Sequence, residues 1–151
     1  MEPHGSVVYT IKQLELGLRP RFMAACAAGG LTGAQYTALT VLQLRPGITS
    51  SELARRSFVR AQTMAATVTS LIAAGYVRRE EDPEHRRRML LYLTTAGAEA
   101  IAKLAPAIGE LEEMLFVEFT PEERAELGNY LRRLRRALNG AGHRVAPDAQ
   151  E

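Results

Sequence analysis

Three consecutive arginines, Arg86, Arg87 and Arg88, close a charged stretch that opens with Arg78-Arg79-Glu80-Glu81-Asp82 and passes through Pro83, Glu84 and His85. Guanidinium groups are planar forks of hydrogen-bond donors suited to phosphate oxygens and to guanine edges. Upstream, Gln62 carries an amide that can pair with adenine, and Thr63 offers a hydroxyl. Ala65 and Ala66 are small enough to let a helix backbone approach base edges. Arg60 precedes them, with Arg55 and Arg56 further back, and Ser50 and Ser51 stand at a helix start, where backbone N–H groups favour phosphate. This is chemistry for duplex DNA. Gln62, Thr63, Ala65 and Ala66 are expected to face major-groove bases, while Ser50, Ser51, Arg60 and one of Arg55 or Arg56 touch phosphates. Arg55 and Arg56 also suit the C-terminal end of a helix dipole, and that second role stays open.

The elements that must hold these groups can be read from periodicity. Thr49-Ser-Ser-Glu52 has the form of a capping box, opening a short helix packed through Leu53, Ala54 and Phe58. A second helix is expected from about Ala61 to just before Gly75, with Met64, Val68, Leu71 and Ile72 on its inward stripe. Strands are expected at Tyr76–Arg79 and Met89–Leu93, joined by a turn at Asp82-Pro83. Alternation along a strand then prevents all three arginines from sharing one face, and Arg87 is the preferred contact.

Around this core, Val7, Val8, Ile11, Leu14, Leu18, Phe22 and Cys26 mark a first helix over about Ser6–Ala28, which Pro20 should bend or break. Thr32-Gly-Ala-Gln35 caps a helix to Leu44 whose buried face is expected to hold Tyr36, Leu39, Val41, Leu42 and Leu44. Thr94 can cap a long helix to about Phe119, and Thr120-Pro121-Glu-Glu123 starts a last one closed by Asn139-Gly140. The expected fold is mainly α with a small β-wing, a winged helix–turn–helix at 31–94 flanked by helices at 6–28 and 95–139. Residues 1–140 make one domain and 141–151 a flexible tail. The flanking helices carry more leucine-rich surface than so small a core can cover, so they are expected to form a homodimer base. Two reading helices then sit roughly 34 Å apart, matching a palindromic operator.

Composition narrows the alternatives. The net charge of +2 is small, but from Leu53 to Arg88 eight arginines face four acids, whereas from Glu110 to Leu138 five arginines face seven. Positive charge is concentrated where DNA is expected. One cysteine, Cys26, excludes an internal disulfide, and its place on an apolar stripe favours a buried structural thiol over a redox sensor. His4, His85 and His143 are scattered, so no metal site and no cofactor is expected. No nucleophile–base pair and no phosphate-cradling glycine loop points to catalysis, and the chain is not expected to be an enzyme. With no signal peptide or membrane span, a cytoplasmic location is expected.

Three stretches in this order resemble the MarR family of winged helix–turn–helix regulators: Leu31–Tyr36, Leu53–Arg78 and Asp82–Gly97. The resemblance covers about Val7 to Leu138 and implies a repressor. It places an Asp-x-Arg at the wing, with the arginine in the minor groove; the corresponding residues are His85 and Arg87, so the arginine is kept and the carboxylate is not. Arg86 or Arg88 would assist Arg87. The resemblance further implies release by a small phenolic or lipophilic effector between the dimer base and the DNA-binding lobe, with Tyr9, Lys12, Arg19, Phe22 and Tyr36 as candidate contacts. Two other readings remain at this point: a winged-helix protein–protein interaction module, and a constitutive DNA-binding regulator without effector.

Overall fold

Leu39, Leu42, Leu53, Met64, Leu71, Leu91 and Leu104 are almost completely removed from solvent and form the centre of the molecule. They come from most of the elements in the computed structural model, which describes residues 6–141. In chain order these are α1 (Val7–Ala28), α2 (Gly33–Leu44), α3 (Ser50–Arg56), α4 (Ala61–Ala73), β1 (Val77–Asp82), β2 (His85–Leu93), α5 (Thr95–Leu115) and α6 (Pro121–Ala141). The expected mainly helical fold with a two-stranded wing is the observed one.

Side-chain caps set most of the helix starts. Thr32 and Gln35 form a reciprocal box: the Gln35 N–H donates to Thr32 Oγ1 at 3.1 Å, and the Thr32 N–H donates to Gln35 Oε1 at 2.9 Å. Thr120 and Glu123 do the same at the head of α6. At Thr49 only half of the expected box forms. Its hydroxyl accepts from the Glu52 N–H, but the Glu52 carboxylate turns to Arg56 Nη2 at 3.0 Å instead. The ion pair with a full charge outcompetes a neutral N–H.

Several expectations need correction. Leu44 is 71% exposed rather than buried. It lies two residues beyond Leu42, about 200° around the helix, and therefore points away from the core. Phe58 is also turned outward, with φ 56°, and Val59 packs against the core in its place. Pro20 does not break α1, which continues to Ala28; the carbonyl deprived of its partner belongs to exposed Leu16 and can be solvated. Helix α5 ends at Leu115, earlier than expected, and Phe116 and Phe119 meet edge to face in the turn that follows. Helix α6 runs through Asn139-Gly140 to Ala141. The tail expected beyond it lies outside the described residues from 142 onward.

The wing is longer than its apolar pattern suggested. Strands β1 and β2 pair antiparallel from Val77↔Leu93 to Glu81↔Met89, then jump to Asp82↔His85. Arg86, Arg87 and Arg88 are the extra residues between those last two pairs. Backbone pairing needs no apolar side chains, so this exposed ribbon carries no hydrophobic alternation to read. Asp82 braces the tip by accepting the Glu84 N–H at 3.0 Å.

Candidate nucleic-acid interface

Helix α4 is divided cleanly by its 3.6-residue period. Met64, Val68 and Leu71 are buried, whereas Arg60, Gln62, Thr63, Ala65, Ala66, Thr69 and Ser70 are exposed. Part of the outer face is ordered by short local bonds. Thr69 donates to the Ala65 carbonyl at 3.0 Å, and Gln35 of α2 donates to Ser70 Oγ at 3.1 Å. Arg60 is the N-cap residue of α4 but makes no side-chain cap bond.

Two adjoining clefts flank the wing, one at the start of α3 and one against this face of α4. The first, about 450 Å³, brings Ser50 and Ser51 at the start of α3 together with His85, Arg87, Arg88 and Met89. The second, about 180 Å³, gathers Ser50, Ala65, Val68, Thr69, Arg79, Met89 and Leu91. Ser50 and Met89 belong to both, so the α3 start, the outer face of α4 and the wing form one continuous surface. Among the described residues no carboxylate lines either cleft. Among the described residues, Arg79, Arg87 and Arg88 make no ion pair with an acid, whereas Arg78 is drawn to Glu80 and lies over the Tyr92 ring at 4.6 Å.

The expected strand alternation fails at the tip. Because residues 86–88 fall in the register jump, Arg87 and Arg88 both line the first cleft, and Arg86 lines neither. Arg55 and Arg56 sit at the other end of α3 from Ser50 and Ser51, roughly 9 Å along the axis. Both lean on Glu52, at 3.6 and 3.0 Å. Sequence reasoning did not single out Arg79. Its signal was present, since it counted toward the local positive balance and lies at the start of the wing.

The candidate effector contacts do not converge. Phe22 and Tyr36 meet edge to face at 5.7 Å. Arg19 is held by Glu15 through two hydrogen bonds at 2.7 and 2.6 Å, which raise the arginine's pKa and lower that of the carboxyl. Tyr9 and Lys12 are exposed near the start of α1, about 20 and about 15 Å from Phe22 along the helix axis. Phe22 instead lines a cavity of about 560 Å³ between α1, α5 and α6, with Leu18, Ile108, Leu111, Leu115 and Phe116 as its apolar wall. Arg124 closes one side, fixed by Glu112 and Glu113 at 2.5 and 2.9 Å and stacked on Phe116.

Cys26 is fully buried, and burial pushes its thiol pKa up. Among the described residues no cluster of His, Cys, Asp or Glu could hold a metal ion, and no helix is long and apolar enough to cross a membrane.

A short helix, a turn, a second helix with an outward polar face and a two-stranded flap beside it define a winged helix–turn–helix. Comparison with known proteins sharpens that class. The chain belongs to the MarR family, whose sequence model matches residues 29–88. It is 35% identical over 106 residues to the HTH-type transcriptional repressor Rv2887 of Mycobacterium tuberculosis, covering 70% of this chain and 73% of that protein. It is 30% identical over 107 residues to a transcriptional regulatory protein of Thauera aromatica, covering 71% of this chain and just 64% of its relative's length. Among solved structures, a crystal structure of MarR superposes with a TM-score of 0.78 at 30% identity, covering 95% of this chain and 98% of that one. Rv2887 in complex with DNA gives 0.69 at 25% identity, covering 86% and 98%. The same protein with salicylic acid gives 0.71 at 25%, covering 89% and 99%.

Proposed function

We propose that this MarR-family regulator is a cytoplasmic repressor that binds a palindromic operator as a homodimer. One observation carries the reading: Arg79, Arg87 and Arg88 share a surface with Ser50, Ser51 and, from the exposed face of α4, Ala65 and Thr69, and no carboxylate among the described residues lines it. In this reading α4 enters the major groove with Gln62, Thr63, Ala65 and Ala66 toward the bases. Ser50, Ser51 and Arg60 take phosphates, and Arg87 with Arg88 follows the adjacent minor groove. The DNA complex of Rv2887 supports this mode for a relative.

Dimerisation is supported by what the single chain leaves uncovered. No residue of α6 is buried. Val7, Val8, Tyr9 and Leu14 of α1, with Leu131, Leu134 and Leu138 of α6, remain 44–72% exposed. Exposed apolar residues of this kind on two long helices are covered by a second copy in a symmetric dimer. The helices at 6–28 and 95–139 are therefore read as the dimer base and 31–94 as the DNA-binding lobe.

A small effector is the second part of the reading, favoured by the cavity between α1, α5 and α6, which lies within the proposed dimer base and not between base and lobe as expected from sequence. The salicylic acid complex of Rv2887 is consistent with it. An effector acts only through a difference in affinity between the DNA-fitting arrangement of the lobes and the others.

The test is selection of bound duplexes from genomic fragments, followed by affinity measurement across salt concentration. We expect a two-fold symmetric site and a steep linear fall of log K with log salt. A protein–protein interaction module would show neither.

A further inference from the structure

Four arginines from three parts of the chain line a further, smaller concavity. Arg45 follows the last residue of α2, Arg56 ends α3, and Arg135 and Arg136 lie near the end of α6. Val41, Leu44 and Asn139 complete the lining, and the space is about 120 Å³. Among the described residues no carboxylate borders it. Glu52 satisfies Arg56 at 3.0 Å, but among the described residues Arg45, Arg135 and Arg136 have no acidic partner. Elsewhere in the fold Arg19, Arg78 and Arg124 each meet an acid. Arg132 and Arg133, on the same helix, are engaged by Asn129 and Tyr130 respectively.

Four guanidinium groups around one space, with Glu52 on Arg56 as their one acidic partner among the described residues, repel one another, and an oxyanion offsets that repulsion with bidentate bonds. The space equals about four water volumes, enough for a compact charged group against the apolar edge of Val41 and Leu44. The location matters as well. Ser50 and Ser51, at the start of α3, lie in the wing cleft, whereas Arg56 at its other end lies here. The cluster therefore stands apart from the proposed DNA surface and links α2 and α3 to α6. We propose that the α2–α3–α6 junction binds a small multivalent oxyanion, phosphorylated or polycarboxylated, and that its occupation clamps the DNA-binding lobe against α6. The effect on DNA affinity rests on the function proposed above; the binding itself does not.

The test is thermal unfolding of the full chain titrated with inorganic pyrophosphate, and in a parallel arm with citrate, at ionic strength held constant with sodium chloride. The native chain should show a saturable rise in Tm, about 3–6 °C at ten times Kd. The exposed double variant Arg135→Gln/Arg136→Gln should lose at least three quarters of that rise while binding DNA within threefold of the native affinity. A larger response to pyrophosphate assigns phosphorylated ligands, and a larger response to citrate assigns polycarboxylates. An absent rise, or an equal rise in the double variant, overturns the proposal. Two further results also overturn it: a loss of DNA affinity beyond threefold, which makes the cluster a phosphate contact, and dissociation of the native assembly, which makes a partner copy its occupant. A chain that ignores every duplex yet shows the arginine-dependent rise refutes the DNA-binding reading alone.

Discussion

Thr94 donates its hydroxyl hydrogen to the Gly75 carbonyl at 2.6 Å, closing the wing by joining the residue before α5 to the turn after α4. The same oxygen accepts the Gly97 N–H at 3.1 Å and so caps α5. One side chain thus fixes where the long outer helix leaves the DNA-binding lobe. The approach is so close that a Cβ on Gly97 would stand 2.2 Å from the Tyr76 carbonyl oxygen. Gly97→Ala should cost about 2–3 kcal/mol, because backbone rather than a flexible side chain blocks it. Chemical denaturation measures the loss. Gly109→Ala, on the same helix with nothing within 4 Å of the new methyl, should instead stabilise by about 0.5–1 kcal/mol. Equal effects at the two positions would contradict the close approach.

Phe58 makes the opposite case, a large side chain in a left-handed backbone conformation with 57% of its surface exposed. That conformation costs a non-glycine residue about 1–2 kcal/mol. Phe58→Gly should therefore leave stability unchanged or raise it by up to about 1 kcal/mol, since relief of strain is partly offset by the freer unfolded chain. Phe58→Val should be less stable than Phe58→Gly by at least about 1 kcal/mol, because a β-branched residue tolerates positive φ poorly. A loss above about 2 kcal/mol in Phe58→Gly would restore the packing role expected from sequence.

What the sequence disclosed follows from where its signals are strong. Met64, Val68 and Leu71 recur at helical spacing, so the buried face of α4 was legible, and with it the outward set from Gln62 to Thr69. Caps at Thr32, Thr94 and Thr120 placed three helix starts within a residue. The wing tip was not legible, because its register jump depends on backbone pairing between strands of charged residues. Phe58 and Leu44 were misplaced for a related reason: residue type says apolar, but only backbone direction says which way the side chain points. Arg79 was missed because its neighbourhood with Ala65 and Thr69 arises only when β1 folds back across α4. The effector set suffered likewise, since Tyr9 and Phe22 share a helix but stand too far apart to enclose one small molecule.

Cys26 couples burial to pH. Its thiol pKa is raised in the folded chain by desolvation, while in the unfolded chain a thiol ionises near about 8.5. Above that pH the unfolded state has released a proton that the folded state still holds. Stability should therefore be unaffected by this group below about pH 8 and decline as pH climbs toward the folded value. Cys26→Ala should lack this alkaline decline, as judged by denaturant midpoints between pH 7 and pH 10. At pH 8 the native thiol should react with a disulfide reagent at least about a hundredfold more slowly than in denaturant. Equally fast labelling would show an open, redox-accessible cysteine.

The register jump at the wing ranks its arginines. Arg87 and Arg88 line the cleft with Ser50 and Ser51, Arg79 lines the adjoining one with Ala65 and Thr69, and Arg86 lines neither. If that surface takes DNA, Arg87→Ala should weaken operator binding by about 1–3 kcal/mol, the loss expected for a groove-reading arginine. Arg79→Ala should weaken specific and non-specific duplexes alike and lower the salt slope by about one, as removal of a phosphate contact does. Arg86→Ala should change affinity by less than twofold. Measured at two salt concentrations on operator and scrambled duplexes, the three variants separate groove reading from general attraction. A dominant effect at Arg86, with Arg87 and Arg79 silent, would place the DNA on the other face of the wing and remove the basis for reading α4 as the recognition helix.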